Sequence, residues 1–322
     1  MHCHFIPRSY LDAISKSDEY QAKLIKEAGG LRIIHEQGFG YPVYPGKYDT
    51  AVRLEDMAKT KVDMQVISCP PNLFHYWSKP STALKAAEMV NNGIYEMVQA
   101  NPGKFRGMGS LPMQDMDMAI AELHRCVKEL GFKSIQIGSN IEGSQFDDPK
   151  FLPFFQECEK LGVFILLHPY YVGTKDMFAK YYLTNLYGNP FDTSMAIASL
   201  IFGGVFDKCP NLKIGFTHGG GFFPYQAGRL EHGYEVRTEP KVNGVKAPLN
   251  YLKNLYFDTV VFQPKQLRFL VDFAGDDHVM LGTDYAFDMQ EFAPVDFVVG
   301  AKLPAAQEDM VLGGNARRIF DI

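Results

Sequence analysis

Five side chains able to ligate a metal stand at the ends of short apolar runs: His2 and His4 in MHCHFI, His168 in FILLHP, His218 in IGFTHG and Asp284 in LGTDY. In an extended strand, residues i and i+2 share a face, so His2 and His4 point one way and Cys3 the other. Paired imidazoles on one wall suit a divalent cation. Each position alone has an ordinary explanation. A lone HxH arises by chance, a strand histidine can pack in a core, and Asp284 suits the N-cap of the segment that follows it. Taken together, imidazoles and a carboxylate form the ligand set of a catalytic zinc or related ion that keeps one position open.

Other residues near these ends are ambiguous. Phe74, His75, Tyr76 and Trp77 follow the second run and suit either an apolar wall for a planar substrate or a packing cluster. Gly219-Gly220-Gly221 after His218 serves a close backbone approach or a tight turn. Arg229, on the next helical stretch, suits a bidentate clamp on a carboxylate or a surface ion pair. His35, His124, His232 and His278 fall where structural roles are expected.

The elements that must position these groups are strands and helices in alternation. Apolar runs occur at MHCHFI, 62–69, 105–112, 134–139, 163–169, 213–219, 255–261 and 278–285. Each is short, β-branched or aromatic, and bounded by Gly, Pro or a polar residue, as buried parallel strands are. Helical patterns lie between them near 51–60, 81–100, 115–130, 149–161, 193–208, 222–237, 264–275 and 304–320. This alternation predicts an α/β fold, a (β/α)₈ TIM barrel formed by residues 1–322 as one domain, with an open sheet as the alternative. Residues 12–50, rich in Gly and Pro, fit neither role and are expected to form an insertion over the barrel mouth, where the strand C-termini gather function.

Composition restricts the partners. Hydrophobic residues make up 46% and charged residues 21%, as in a protein with a large core. Net charge is −5, with no basic stripe, so neither nucleic acid nor a membrane surface is expected and a small molecule is. The cysteines, at 3, 69, 126, 158 and 209, are odd in number and never spaced CxxC, against a disulfide framework or a thiolate zinc site. With no apolar leader at the N-terminus, a cytoplasmic location is the expectation.

The motifs MHCHFIPR, ILLHPYY, FTHGGGFFPYQAGRLEH, LGTDYAF and GGNARRIFDI, with VDMQVISCPP and SIQIGS between them, resemble the decarboxylase branch of the amidohydrolase superfamily. That branch includes 2-amino-3-carboxymuconate 6-semialdehyde decarboxylase and hydroxyaromatic-acid decarboxylases. The resemblance implies one divalent ion, zinc first and manganese second, held by His2, His4, His168 and Asp284. It implies His218 as general acid/base, with Asp284 also in the catalytic set, and Arg229 meeting the substrate carboxylate across a homodimer interface. No lysine stands in SIQIGS, which fits a single ion. Two positions depart from the branch. Met1 occupies the spacer between HxH and an acidic residue of the family motif, so the expectation is either a strand that starts two or more codons earlier and ends in Asp or Glu, or a protein that works without that group. Tyr41 stands before Pro42-Val43-Tyr44, where the aminocarboxymuconate members carry a substrate-binding arginine. The activity implied is metal-dependent non-oxidative decarboxylation of an unsaturated or hydroxyaromatic carboxylic acid. A metal-dependent hydrolase or hydratase of a lactone, amide or oxo-acid is the alternative.

Overall fold

The computed structural model describes residues 1–170 and 177–322; Tyr171 of the ILLHPYY motif lies outside the described residues. The chain divides into two compact units, Met1–Gln136 with Thr283–Val295, and Ile137–Gly282 with Asp296–Ile322.

The first unit opens on helix α1 (Arg8–Lys16) and an antiparallel meander of β1 (Ala22–Glu27), β2 (Gly30–His35) and β3 (Gly40–Val43). Ala22, Ile33, His35, Tyr41 and Val43 are buried while Ile34 is exposed, the period-two alternation of a sheet covered on one face. Helix α2 (Thr50–Lys59) is capped by Asp49, whose carboxylate accepts from Ala51 N and Val52 N. There follow β4 (Gln65–Ile67), α3 (Pro80–Ala100), which starts with proline in its first turn, β5 (Phe105–Ser110) and α4 (Met116–Lys128).

Strand β6 (Ser134–Gly138) leads into the second unit. There α5 (Leu152–Leu161) ends at Gly162 in the left-handed conformation, followed by β7 (Phe164–His168), α6 (Asn189–Phe202), α7 (Val205–Lys208) and β8 (Ile214–Phe216). Helix α8 (Phe223–Val236), β9 (Leu255–Asp258), α9 (Pro264–Ala274) and β10 (Val279–Met280) complete the alternation, before α10 (Pro294–Gly300), α11 (Ala305–Asp309) and α12 (Asn315–Phe320). The expected single helix over 193–208 is two, because Gly204, at φ 73°, turns the chain between them.

Strands β4 to β10 form a parallel seven-stranded sheet in chain order. Every residue of β7 is buried, as expected of a parallel strand covered on both faces. The expected first strand is reduced to isolated parallel bridges, Cys3 to Tyr285 and His4 to Ser68, with Phe5 N donating to Ser68 O at 2.8 Å. Pro7, which has no N–H, then opens α1. All five cysteines are buried free thiols. Among the described residues, no helix is long and apolar enough to cross a membrane.

Candidate metal centre

The N-terminal bridges set the first group of ligand atoms. His2 and His4 share a face, their Nε2 atoms 3.2 Å apart, while the Cys3 thiol turns away and donates to Val66 O. The loop after β10 brings Asp284 to them, its Oδ1 3.4 Å from His2 Nε2 and 3.2 Å from His4 Nε2. His4 Nδ1 lies 3.0 Å from the Cys69 carbonyl oxygen, which can only accept. Nδ1 therefore carries the proton, and Nε2 presents a lone pair toward the other two groups. The same carbonyl accepts from Gln136 Nε2, so the acceptor is itself held. Burial drives the His4 imidazole down to about 4 against the pull of Asp284, so this ring is neutral at pH 7. A lone pair and a carboxylate oxygen turned on one spot are repulsive unless a cation sits between them, so these residues fit a divalent ion.

Arg53 of α2 holds this arrangement from behind. Its guanidinium is fully buried and donates to Gly46 O at 3.1 Å, to Gln65 Oε1 at 2.7 Å and to the His4 carbonyl. It also lies against the ring faces of Tyr285 and Phe5.

In the second unit, His168 ends β7 and His218 follows β8, their rings edge to face with centroids 5.4 Å apart. His168 Nδ1 lies 2.9 Å from Pro169 O, which again puts the proton on Nδ1 and the lone pair on Nε2. His218 sits at φ 55° in the left-handed region, as Asp284 does at φ 54°, conformations that folded chains retain mainly where geometry matters. Its turn is pinned by the buried Asp258 carboxylate, which accepts from Gly219 N at 2.8 Å and Val260 N at 3.1 Å. The glycine run makes room for protein: a Cβ on Gly220 would meet Phe257 at 2.5 Å and one on Gly221 would meet Pro190 O at 2.1 Å. Asp192 accepts from Ser139 Oγ, Asn140 Nδ2 and Tyr170 N, tying the ends of β6 and β7 together; burial raises its carboxyl to about 6.

The expected aromatic segment is a packed cluster in the first unit. Phe74 stacks on Tyr76, and His75 accepts from or donates to Tyr10 Oη at 2.8 Å. His35 stacks on Phe39 with centroids 4.2 Å apart. Burial lowers His35 to about 4 and His75 to about 3. The unfolded chain takes up these protons near pH 6.5 while the folded chain refuses them, so their contribution to stability is complete above pH 6.5. It is lost as pH falls toward 4, by up to roughly 1.4 kcal/mol per pH unit per histidine. Urea unfolding between pH 7 and 5 should show this decline, and His35→Phe should flatten it; equal slopes for the two proteins would contradict the assignment.

Residues 1–322 match the amidohydrolase family model along their whole length. The chain belongs to the amidohydrolase family. It is 44% identical over 273 residues to 2-amino-3-carboxymuconate-6-semialdehyde decarboxylase of Dictyostelium discoideum, covering 84% of this chain and 76% of that protein. Its fold is similar to the crystal structure of 5-carboxyvanillate decarboxylase from Sphingomonas paucimobilis, with a TM-score of 0.80 and 29% identity over 88% of this chain and 87% of that one. It is also similar to dihydroxybenzoic acid decarboxylase from a Polaromonas species, solved with bound manganese and the inhibitor 2-nitroresorcinol: TM-score 0.77 and 26% identity over 85% of each chain. Against this amidohydrolase background, Arg53, Asp192 and Asp258 are the positioning residues that sequence reasoning missed. Asp258 left one signal, an acid closing the otherwise apolar run LYFD.

Proposed function

We propose that this amidohydrolase is a metal-dependent non-oxidative decarboxylase of an unsaturated or hydroxyaromatic carboxylic acid. The observation that carries the reading is the tautomer pattern: His4 and His168 each commit Nδ1 to a carbonyl and keep Nε2 as the acceptor nitrogen. His2, His4, His168 and Asp284 would hold one divalent ion. This nitrogen-and-carboxylate set accepts manganese as well as zinc. In this reading residues 1–322 form one domain, a closed (β/α)₈ barrel, with the 12–50 insertion over its mouth.

A divalent ion bound there supplies positive charge that stabilises the negative charge developing on the substrate as CO₂ leaves. The chain's own residues do the rest. The bond between the substrate carbon and its carboxylate breaks, the electron pair stays on that carbon, and His218 delivers the proton that makes it C–H. No oxidant or reductant is needed, because the conjugated carbonyl or phenol of the substrate takes up the charge. In this reading Asp284 orients the reacting group as well as ligating the ion.

Arg229 is exposed on α8, on the same helix face as exposed Phe222 and Tyr225. Tyr225 is 81% exposed and meets exposed Phe269 of α9. An apolar strip of this kind, carrying an arginine, supports a homodimer in which Arg229 meets the substrate carboxylate of the neighbouring subunit. The test of the whole reading is CO₂ release from a panel of hydroxybenzoates and unsaturated dicarboxylic acids by the manganese-loaded protein. Turnover of these acids without CO₂, with ring opening or hydration products instead, would assign a hydrolase or hydratase.

A further inference from the structure

Lys47 is fully buried in the first unit, at the end of the turn Pro45–Lys47 that follows β3. Among the described residues its Nζ has no hydrogen-bond partner. What surrounds it is aromatic: the Phe287 ring centroid lies 3.3 Å from Nζ, that of Tyr41 5.3 Å and that of Tyr44 5.7 Å. Ring faces return only part of what it costs to bury an ammonium without a counter-ion. The backbone offers no alternative, since the Lys47 carbonyl accepts from Ile6 N and its N–H donates to Tyr44 O, which locks the turn.

The position of this cation is informative. Phe287 belongs to the loop that carries Asp284, and its ring packs edge-on against His4 with centroids 5.3 Å apart. One aromatic ring thus separates Lys47 Nζ from the ligand group of the first unit. Asp284 and Asp288 act on Lys47 through space and favour its charged form, while burial pulls it down to about 7. The hydroxyl of Tyr41, whose ring is one of those around Nζ, is also buried without a hydrogen-bond partner among the described residues, and so are both ring nitrogens of His35, which stacks on Tyr41. Burial keeps the Tyr41 phenol neutral, hence a donor.

We propose that Lys47, among the rings of Phe287, Tyr41 and Tyr44, receives a second anionic group of the substrate, a carboxylate or phenolate remote from the carboxylate that leaves. This selects acids that bear two anionic groups. The assignment rests on the decarboxylase reading for the first carboxylate, and on the buried ammonium for the second group.

The test compares benzene-1,3-dicarboxylate with benzoate as unreactive probes, by titration calorimetry on the manganese-loaded full chain. The wild type should favour the dicarboxylate. Lys47→Met, neutral and close in volume, should weaken the dicarboxylate by about 10- to 100-fold and leave benzoate nearly as it was. Its thermal midpoint should stay level or rise, because an uncompensated buried charge is gone. No preference for the dicarboxylate in the wild type, a preference retained in Lys47→Met, or equal loss of both probes with a lowered midpoint would each overturn the proposal. A Lys47-dependent preference in a protein that releases CO₂ from no acid would remove the decarboxylase reading and leave Lys47 as the anion receiver. CO₂ release with Lys47-independent binding would do the reverse.

Discussion

His218→Ala will lower kcat for CO₂ release by roughly 100- to 10,000-fold, the usual contribution of a positioned acid or base, while bound metal stays at the wild-type level. The expectation follows from how the ring is presented. His218 sits at φ 55°, and Asp258 fixes the next peptide by accepting from Gly219 N. The ring is thus held in a defined position on a turn that Asp258 secures. His168→Ala should behave differently, because it removes an acceptor nitrogen whose tautomer is set by Pro169 O. That variant should lose metal, and activity with it. Elemental analysis of the purified variants decides the roles. A metal-free His218→Ala beside a loaded His168→Ala would exchange them.

The second large effect concerns Arg53. Its guanidinium serves Gly46 O, Gln65 Oε1 and the His4 carbonyl from a fully buried position, so Arg53→Ala strands three acceptors and leaves a cavity. Each buried acceptor left without its donor costs about 1–3 kcal/mol, so a loss of about 3 kcal/mol or more is expected. Metal retention should fall too, because the His4 backbone loses the donor that holds it. Arg53→Met separates the two causes: it fills most of the volume and offers no donor, so it should recover part of the stability and little of the metal affinity. Urea midpoints and metal content are the measurements. A loss in Arg53→Ala below about 1 kcal/mol, the range of an ordinary surface change, would mean that the network does not hold the site.

Much of the frame was legible from residue order. The seven runs from 62–69 to 278–285 each contain one of the parallel strands β4 to β10, because a strand buried on both faces must be apolar throughout and punctuated at its ends. The i, i+2 relation placed His2 and His4 together for the same local reason. Residues 12–50 resisted reading: their period-two alternation is short and broken by Gly29-Gly30 and Pro42, yet they fold into the meander of β1, β2 and β3. The N-terminal run was expected as a strand and forms two bridges: after Phe5 the next N–H, of Ile6, goes to Lys47 O outside the sheet, and Pro7 has none to offer.

The sequence by itself determined the family, the α/β alternation and the types of group available for chemistry, because these depend on side-chain identity and short-range periodicity. Tertiary structure alone decided which nitrogen of His4 is the acceptor, since that depends on the Cys69 carbonyl, 65 residues away, that the fold carries to it, whereas His168 takes its partner from the adjacent Pro169. It also decided that Arg53 is buried behind His4 and that Lys47 is buried among rings. A lysine in PGKYD reads as a surface turn residue until contacts distant in sequence, with Phe287 above all, exclude water from it. Burial is a property of the whole packed chain, and it is burial that turns an ordinary cation into one that waits for an anion.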